Sequence, residues 1–498
     1  MIQQLAHKDE LLIKYKAEIS QNEIDILSLK FRLSQLEKLI YGSKSERHVS
    51  DLPNGQLDLF IPIELDQTTQ EVEQVPTETV SYTRKKHKPH PGRNAIPNHL
   101  PVNEITLEPD VDTKDLKKIG EQITTTLEYT PASLICKRVI RPKYKDEESG
   151  KIHIADLPCR ALPKSIAEAS LLSYLFVSKF CDHLPFYRLR QMFKRDYDLE
   201  LASSTINDWF IACCTLLKPL YDCMKIKLLD SEYIQADESP IKVLDKDKKQ
   251  ATHQGYQWVY RNPENGIVFF QYRKGRGMHG PKEILKDYNG YIQCDGYVIY
   301  DKLAKIYPSI ILVGCLAHSR RKFVEAIKSD AARANYAINI YKEIYRHDSI
   351  SKQLDVDQRL AYRIKHIKPI MVSFKIWLEE HHDKLAPKSP IAKAIYYALN
   401  QWHKLINIFK DGKIELDNNA IENKIRPLAL GRKNYLFAGS HDGGQRIAIM
   451  YTFFATCKHH NVNPFEWLKY VLDNIAEAKM SDLDKFLPQN FKCDLPCL

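Results

Sequence analysis

The sequence predicts an α/β core interrupted by an all-helical insertion and preceded by a coiled coil. Three observations predict it. Two apolar, β-rich runs each close on an aspartate, Glu232-Tyr233-Ile234-Gln235-Ala236-Asp237 and Gly290-Tyr291-Ile292-Gln293-Cys294-Asp295. Residues 320–408 then read as mostly helical, without strand signals. Within the first forty residues, Leu5, Leu12, Ile19, Ile26, Leu33 and Ile40 recur every seven positions. A sustained seven-residue period imposes a left-handed supercoil on a partner helix.

In chain order, residues 1–49 form the coiled coil, with Leu29 and Leu36 in a second seam position that Lys8, Tyr15 and Asn22 break earlier. One long amphipathic helix lying on its own protein is the plainer alternative. Residues 50–100 read as a flexible linker rich in Pro, Gln, Thr and Glu. It carries the basic run Arg84-Lys85-Lys86-His87-Lys88, which suits phosphates or simply a solvated face. Residues 101–160 alternate as a small β-rich module at Glu104–Leu107, Ile123–Leu127 and Leu134–Ile140. Residues 161–228 are helical over 166–180 and 184–197, and Ser203-Ser204-Thr205 offers an N-cap to 206–217. Arg188, Arg190, Lys194 and Arg195 on the second of these suit a helix-turn-helix, though generic packing explains the pattern equally. The core's first part spans 229–319, with a meander at 241–244, 257–260 and 267–272 and a further strand at 310–314. The insertion spans 320–411, the second core part 412–456 and a helical tail 457–498.

Bulk composition narrows the class. The chain has 498 residues, and 73 Lys and Arg against 63 Asp and Glu leave a net charge of +10. That balance favours a polyanionic partner without requiring one. Eleven cysteines occur with no CxxC pair, so neither a disulfide framework nor a four-cysteine zinc pattern is present. Residues 1–10 lack a cationic stretch leading into an apolar one. The apolar run 310–317 is far below the roughly 18 residues of a membrane span. The expectation is a cytoplasmic protein with no membrane partner.

Asp237, Asp295 and Glu422 carry the chemistry. Glu422 lies inside Leu416-Asp417-Asn418-Asn419-Ala420-Ile421-Glu422-Asn423-Lys424-Ile425-Arg426, which reads as a short capped helix. Each is unremarkable alone: a strand-end Asp usually forms a turn, and Glu422 with Arg426 makes an i,i+4 pair. Glu238 and Asp301 are nearby competitors. If the three converge, they offer hard oxygen ligands for two divalent cations, Mg2+ or Mn2+, and hence phosphodiester chemistry. Cys315 and His318 make half a zinc site at most, and Cys315 reads as core.

Four blocks extend this reading: Ala236-Asp237-Glu238-Ser239-Pro240; Cys294-Asp295-Gly296-Tyr297 with Tyr300; Gly314-Cys315-Leu316-Ala317-His318-Ser319-Arg320-Arg321-Lys322-Phe323; and Leu416 to Asn419 running through Glu422 to Gly431-Arg432-Lys433-Asn434-Tyr435-Leu436-Phe437-Ala438-Gly439-Ser440. With Leu39-Ile40-Tyr41-Gly42 near the N-terminus, the chain resembles the insertion sequence 66 family of bacterial DDE transposases. The resemblance implies an RNase H-like catalytic core with Asp237, Asp295 and Glu422 as catalytic and metal-binding residues. It also implies cleavage at the ends of a DNA element followed by 3′-OH strand transfer into target DNA. Its implied partners are the element's terminal repeats, target DNA, a second copy of the chain through the coiled coil, and small accessory proteins, all at the bacterial nucleoid. An inactive end-binding remnant, or a nuclease of the same fold, is the alternative. The family's cysteine-rich zinc module has no counterpart: only Cys136 and Cys159 lie near 101–160, which leaves zinc without a ligand set. Asn423 stands where an Arg commonly follows the glutamate.

The basic candidates for DNA contact are Arg320, Arg321, Arg426, Arg432 and Lys433, together with Arg188, Arg190 and Lys194. The stretch 426–446 mixes Arg426, Arg432, Lys433 and Arg446 with Tyr435, Phe437 and several glycines. Such a mixture suits close approach to a strand end, and a plain active-site loop explains it equally.

Overall fold

A run buried on both faces at 233–236, alternating in burial beyond Ser239, makes β5 (Tyr233–Leu244) the central strand of a five-stranded sheet, with β6 (Thr252–Arg261), β7 (Val268–Arg273), β8 (Gly290–Gln293) and β9 (Ile310–Val313). The order is β7-β6-β5-β8-β9. β5, β6 and β7 run antiparallel as the expected meander, while β8 and β9 run parallel to β5. The computed structural model describes residues 96, 100–110, 117–130, 133–245 and 252–492. The expected coiled coil, nearly all of the linker with its basic run, and Cys493 and Cys497 lie outside the described residues.

The sequence expectation placed Asp237 at the end of a strand and 241–244 in another. The structure makes them one strand of twelve residues, with Asp237 near its middle. Pro240 is tolerated because β8 pairs with β5 only from Tyr233 to Gln235. Beyond that point this side of β5 has no ladder to break. Farther on, the same side is used again: the Ala438 amide donates to the Lys242 carbonyl and the Leu244 amide to the Ala438 carbonyl.

A small sheet carries the 101–160 module: β1 (Val102–Thr106), β2 (Lys117–Thr130), β3 (Ser133–Lys145) and β4 (Ile152–Ile154). β2 and β3 form its hairpin. Four helices follow, α1 (Ala169–Phe180), α2 (Phe186–Tyr197), α3 (Ser203–Leu216) and α4 (Lys218–Leu229). The Ser-Ser-Thr expected as an N-cap begins α3 instead; the cap residue is Ala202, without a side-chain bond. These helices share one hydrophobic core with the large sheet, through Phe176, Phe180, Phe210 and Tyr451.

The stretch 230–300, read as strands, also contains α5 (His279–Leu285) and the start of α6 (Val298–Ile306). The helical insertion appears as expected: α7 (Leu316–Ala326), α8 (Ala331–Ser351), α9 (Val356–His382) and α10 (Pro390–Leu405). It has its own core around Phe323, Tyr341, Ile367, Phe374 and Ile395. Glu422 was expected on a short helix. Its helix, α11 (Asn419–Tyr435), runs for 17 residues with Pro427 inside.

α12 (His441–His459) lies along edge strand β7, and α13 (Pro464–Asn474) follows. Thr452 Oγ1 accepts from the Phe270 amide at 2.9 Å and Thr456 Oγ1 from the Val268 amide at 3.1 Å. Two hydroxyls thereby satisfy edge amides that would otherwise template another strand. Gly444 allows the close fit, since a Cβ there would meet the Tyr272 ring at 2.8 Å. Glycines in the basic stretch therefore serve helix-on-sheet packing at this position.

Candidate active site

The pairing of Tyr233, Ile234 and Gln235 with Tyr291, Ile292 and Gln293 superposes two copies of one pattern, Tyr-Ile-Gln-X-Asp. Asp237 and Asp295 each stand two residues past the paired glutamines. They therefore sit just past the end of the parallel pairing, Asp237 within β5 and Asp295 beyond the C-terminal end of β8, where an open α/β sheet forms its crevice. Asp295 Oδ1 accepts from the Tyr297 amide at 2.9 Å, turning the chain toward α6.

The two glutamines are buried and bonded to each other, with Gln235 Nε2 donating to Gln293 Oε1 at 2.9 Å. Tyr233 Oη donates to the same oxygen at 2.6 Å, and Arg261 Nη1 donates to Gln235 Oε1 at 2.8 Å. The spare amide protons reach the third segment. Gln235 Nε2 bonds the Asp417 carbonyl at 3.2 Å and Gln293 Nε2 the Glu415 carbonyl at 2.7 Å. This polar layer ties β5, β8 and the entry to α11 together, so the elements bearing all three carboxylates share one buried support.

Glu422 occupies the first turn of α11 and points at α7. Its carboxylate lies 3.6 Å from Arg321 Nη2 and 3.6 Å from His318 Nε2. No ion pair with Arg426 forms, and Arg426 is exposed. The helix entry is held by Asp417, which accepts from the Asn419 amide at 3.0 Å and from Tyr345 Oη at 2.7 Å. Asn418, at the N-cap position, makes no side-chain cap; its buried side chain faces His318 instead.

Electrostatics set this cluster apart. Burial pushes the Asp237 carboxyl well above the usual range, reinforced by Glu238, Asp295 and Glu422 in that order. Glu422 is pushed up by burial as well, opposed first by Arg321. Burial and the neighbouring Arg321 lower His318 to about 4, so its ring is neutral at pH 7. Glu422 Oε1 and Glu238 Oε2 are buried without a hydrogen-bond partner. Crowded, under-compensated carboxylates with unpaired oxygens suit divalent cations, which supply the missing positive charge. Among the described residues, no three His, Cys, Asp or Glu groups already stand in a coordinating cluster. Glu422 is instead drawn toward Arg321 and His318.

The competitors resolve differently. Asp301 is structural: it pairs with buried Lys404 at 2.6 Å, joining α6 to α10. Glu238 belongs to the site's wall, where Arg276 Nε donates to it at 2.8 Å. Arg276 also stacks 4.1 Å over the Tyr297 ring. Arg276, Gln235 and Gln293 were not singled out from the sequence, although the repeated Tyr-Ile-Gln-X-Asp pattern marked the two glutamines.

The basic candidates divide in the same way. Arg321 reaches the site; Arg320, beside it on α7, is half-buried. Arg426 and Lys433 are exposed on α11. Arg432 binds Ser239 Oγ at 2.9 Å and the Pro240 carbonyl, anchoring α11 to β5. On α2, Arg190 Nε bonds the Leu201 carbonyl, and Lys194 pairs with Asp198 at 2.6 Å and Glu200 at 2.9 Å. Arg188 lies 6.0 Å from the Tyr187 ring. Cys315 is core, its sulfur accepting from the Asn418 amide, and Cys136 and Cys159 are free thiols. Among the described residues no helix is long and apolar enough to cross a membrane.

A family model described as "Transposase IS66 family" matches residues 164–446, which include all three carboxylates. Models described as "Transposase C of IS166 homeodomain" and "IS66 C-terminal element" match residues 28–105 and 452–489. Among curated relatives, the chain is 29% identical over 504 residues to "Uncharacterized protein y4jD" of Sinorhizobium fredii, covering 96% of this chain and 97% of that one. It is 31% identical over 497 residues to "Uncharacterized protein y4qI" of the same organism, covering 96% and 91%. With its crevice carboxylates inside a matched stretch of more than half its length, the chain belongs to the transposase IS66 family.

Proposed function

We propose that this transposase cuts the ends of its DNA element and joins the freed 3′-OH to target DNA, using an RNase H-like core and the triad Asp237, Asp295 and Glu422. The observation that supports the reading is that buried Asp237 is raised by the nearby charges of Asp295 and Glu422, with Glu422 itself raised by burial at the same crevice. The strand order, an antiparallel meander extended by two parallel strands, supports the core assignment. Two Mg2+ or Mn2+ ions held by the triad would neutralise the attacking and leaving oxygens of a phosphodiester. Asp237 supplies the innermost carboxylate. Asp295 stands beside it, and Glu422, now 3.6 Å from Arg321 and His318, would be the third carboxylate to hold the ions. Arg321, once released, is placed to meet a phosphate oxygen. Glu238 with Arg276 walls the crevice, and the Gln235–Gln293 layer holds its floor.

The test is a strand-transfer assay with the full chain, Mg2+, and duplex element ends bearing a pre-cleaved 3′-OH. Joined products are expected. Cleavage without joining would reassign the chain to nuclease chemistry; end binding without either would make it an inactive remnant. In this reading the chain acts at the bacterial nucleoid and self-associates through residues 1–49, with small proteins of the same element as further partners. Removing residues 1–41 is expected to lower the mass seen by light scattering, and an unchanged mass would discard that association.

A further inference from the structure

A second feature stands away from the carboxylates. A cavity of about 230 Å³ opens between α1, α3 and the connection from α11 to α12, lined by Lys179, Phe186, Asn207, Tyr435, Ser440 and Arg446 among others. The Lys179 ammonium lies inside it, 4.1 Å from the Phe186 ring centroid and 5.2 Å from that of Tyr435. Among the described residues, none forms an ion pair with Lys179 or with Arg446. Burial lowers Lys179 to about 8, the mark of an ammonium short of a counter-charge.

The backbone adds to this charge. Ser440 caps α12, its Oγ accepting from the Gly443 amide at 3.0 Å, and the helix presents its positive end here. Asp442, in the same first turn, is exposed and does not line the cavity. At the rim, Leu436 holds φ at 63°, and both Leu436 and Phe437 are exposed apolar side chains. A non-glycine residue in that region is strained, and such strain persists where the surroundings enforce it.

We propose that this cavity binds one backbone phosphate of the DNA on which the active site works, with Lys179 as its half-buried cation and Arg446 also in its lining. The proposal rests on DNA being the substrate. Its position fits a contact away from the reacting bond. Ala438 lines the cavity and bridges to Val243, six residues beyond Asp237 on β5. At about 3.3 Å per residue that is roughly 20 Å, or about six base steps along a B-form strand. A phosphate held there sets the register of the strand across the crevice without reading its sequence. The aromatic walls favour a cation that stays desolvated until the anion arrives.

The experiment measures binding of the full chain to a fluorescein-labelled element-end duplex over a range of KCl, without divalent cations. For Lys179→Met, the slope of log affinity against log salt is expected to fall by about 0.9, one phosphate contact, with weaker binding to all sequences alike. Lys179→Arg, which keeps the charge, is expected to keep the slope. If the wild type binds DNA and Lys179→Met shows the same slope and affinity, the phosphate site is overturned while the DNA reading stands. If the wild type binds no DNA, both fall. A lowered melting temperature with an unchanged slope would make Lys179 a packing residue and overturn the proposal. Should Lys179→Met fail to fold, Arg446→Met reads the same slope, and no change there overturns the site equally.

Discussion

Replacing Asp237 by Asn is expected to abolish DNA cleavage, by at least about 10³-fold, while making the metal-free protein more stable. The two effects share one cause. The Asp237 carboxyl is held well above its ordinary range by burial, then by Glu238, Asp295 and Glu422. For a carboxyl raised on folding, the ionised form opposes the fold, so stability declines as pH rises above about 4, through the unfolded value toward the folded one. Asn carries no charge to oppose folding, so the variant is expected to melt at a higher temperature than the wild type at neutral pH. Thermal melts of both proteins without divalent cation measure it. Added Mg2+ is expected to raise the wild-type melting temperature, since a cation bound only by the native state stabilises it, and to raise that of the variant less. Wild-type cleavage by Asp237→Asn would remove the residue from the site. A lower melting temperature would mean that its carboxylate is compensated.

Replacing Arg363 by Met is expected to cost about 3–5 kcal/mol. Arg363, on α9, is fully buried, as is its partner Asp348 on α8. Two guanidinium nitrogens bond one Asp348 oxygen at 3.1 and 2.7 Å, and Nη1 bonds the Ile414 carbonyl at 2.5 Å. Without Arg363, Asp348 keeps the Ser351 hydroxyl, which donates to it at 3.3 Å, and one cation among the described residues, half-exposed Lys352, 3.4 Å from its other oxygen. A buried carboxylate losing its main partner is the costly case, whereas removing both partners is far cheaper. Arg363→Met with Asp348→Leu is therefore expected to recover most of the loss in denaturant melts. No recovery would show that the Ile414 bond, rather than the ion pair, carries the energy. Ile414 leads directly into the segment gripped by Gln235 and Gln293. Hydrogen exchange in α11 is thus expected to rise in the single variant.

The recurring Tyr-Ile-Gln-X-Asp runs were legible because a buried parallel strand repeats its apolar pattern wherever its neighbour does. The insertion was legible because long helical periodicity admits no strand. The extent of β5 was not. The run ending at Asp237 and the run 241–244 read as two strands, and only the end of β8 at Gln293 shows how one strand can pass through Pro240. α11, read as a short capped helix, continues through Pro427 to Tyr435. Arg190, Lys194 and Arg432 read as DNA contacts from the sequence; their intramolecular partners at Leu201, Glu200 and Pro240 were not legible there.

By itself, the sequence determined the strand-bearing aspartates, the helical insertion, and the motifs by which the chain resembles its family. These depend on residue types and short-range periodicity, which the chain carries locally. Tertiary structure decided which charges matter. It placed Glu422 between Arg321 and His318 rather than on Arg426, sent Asp301 to Lys404, and set Lys179 in an aromatic cavity without an ion-pair partner among the described residues. Electrostatic strength depends on burial and on which opposite charge comes near, and both are set by residues far apart in the chain.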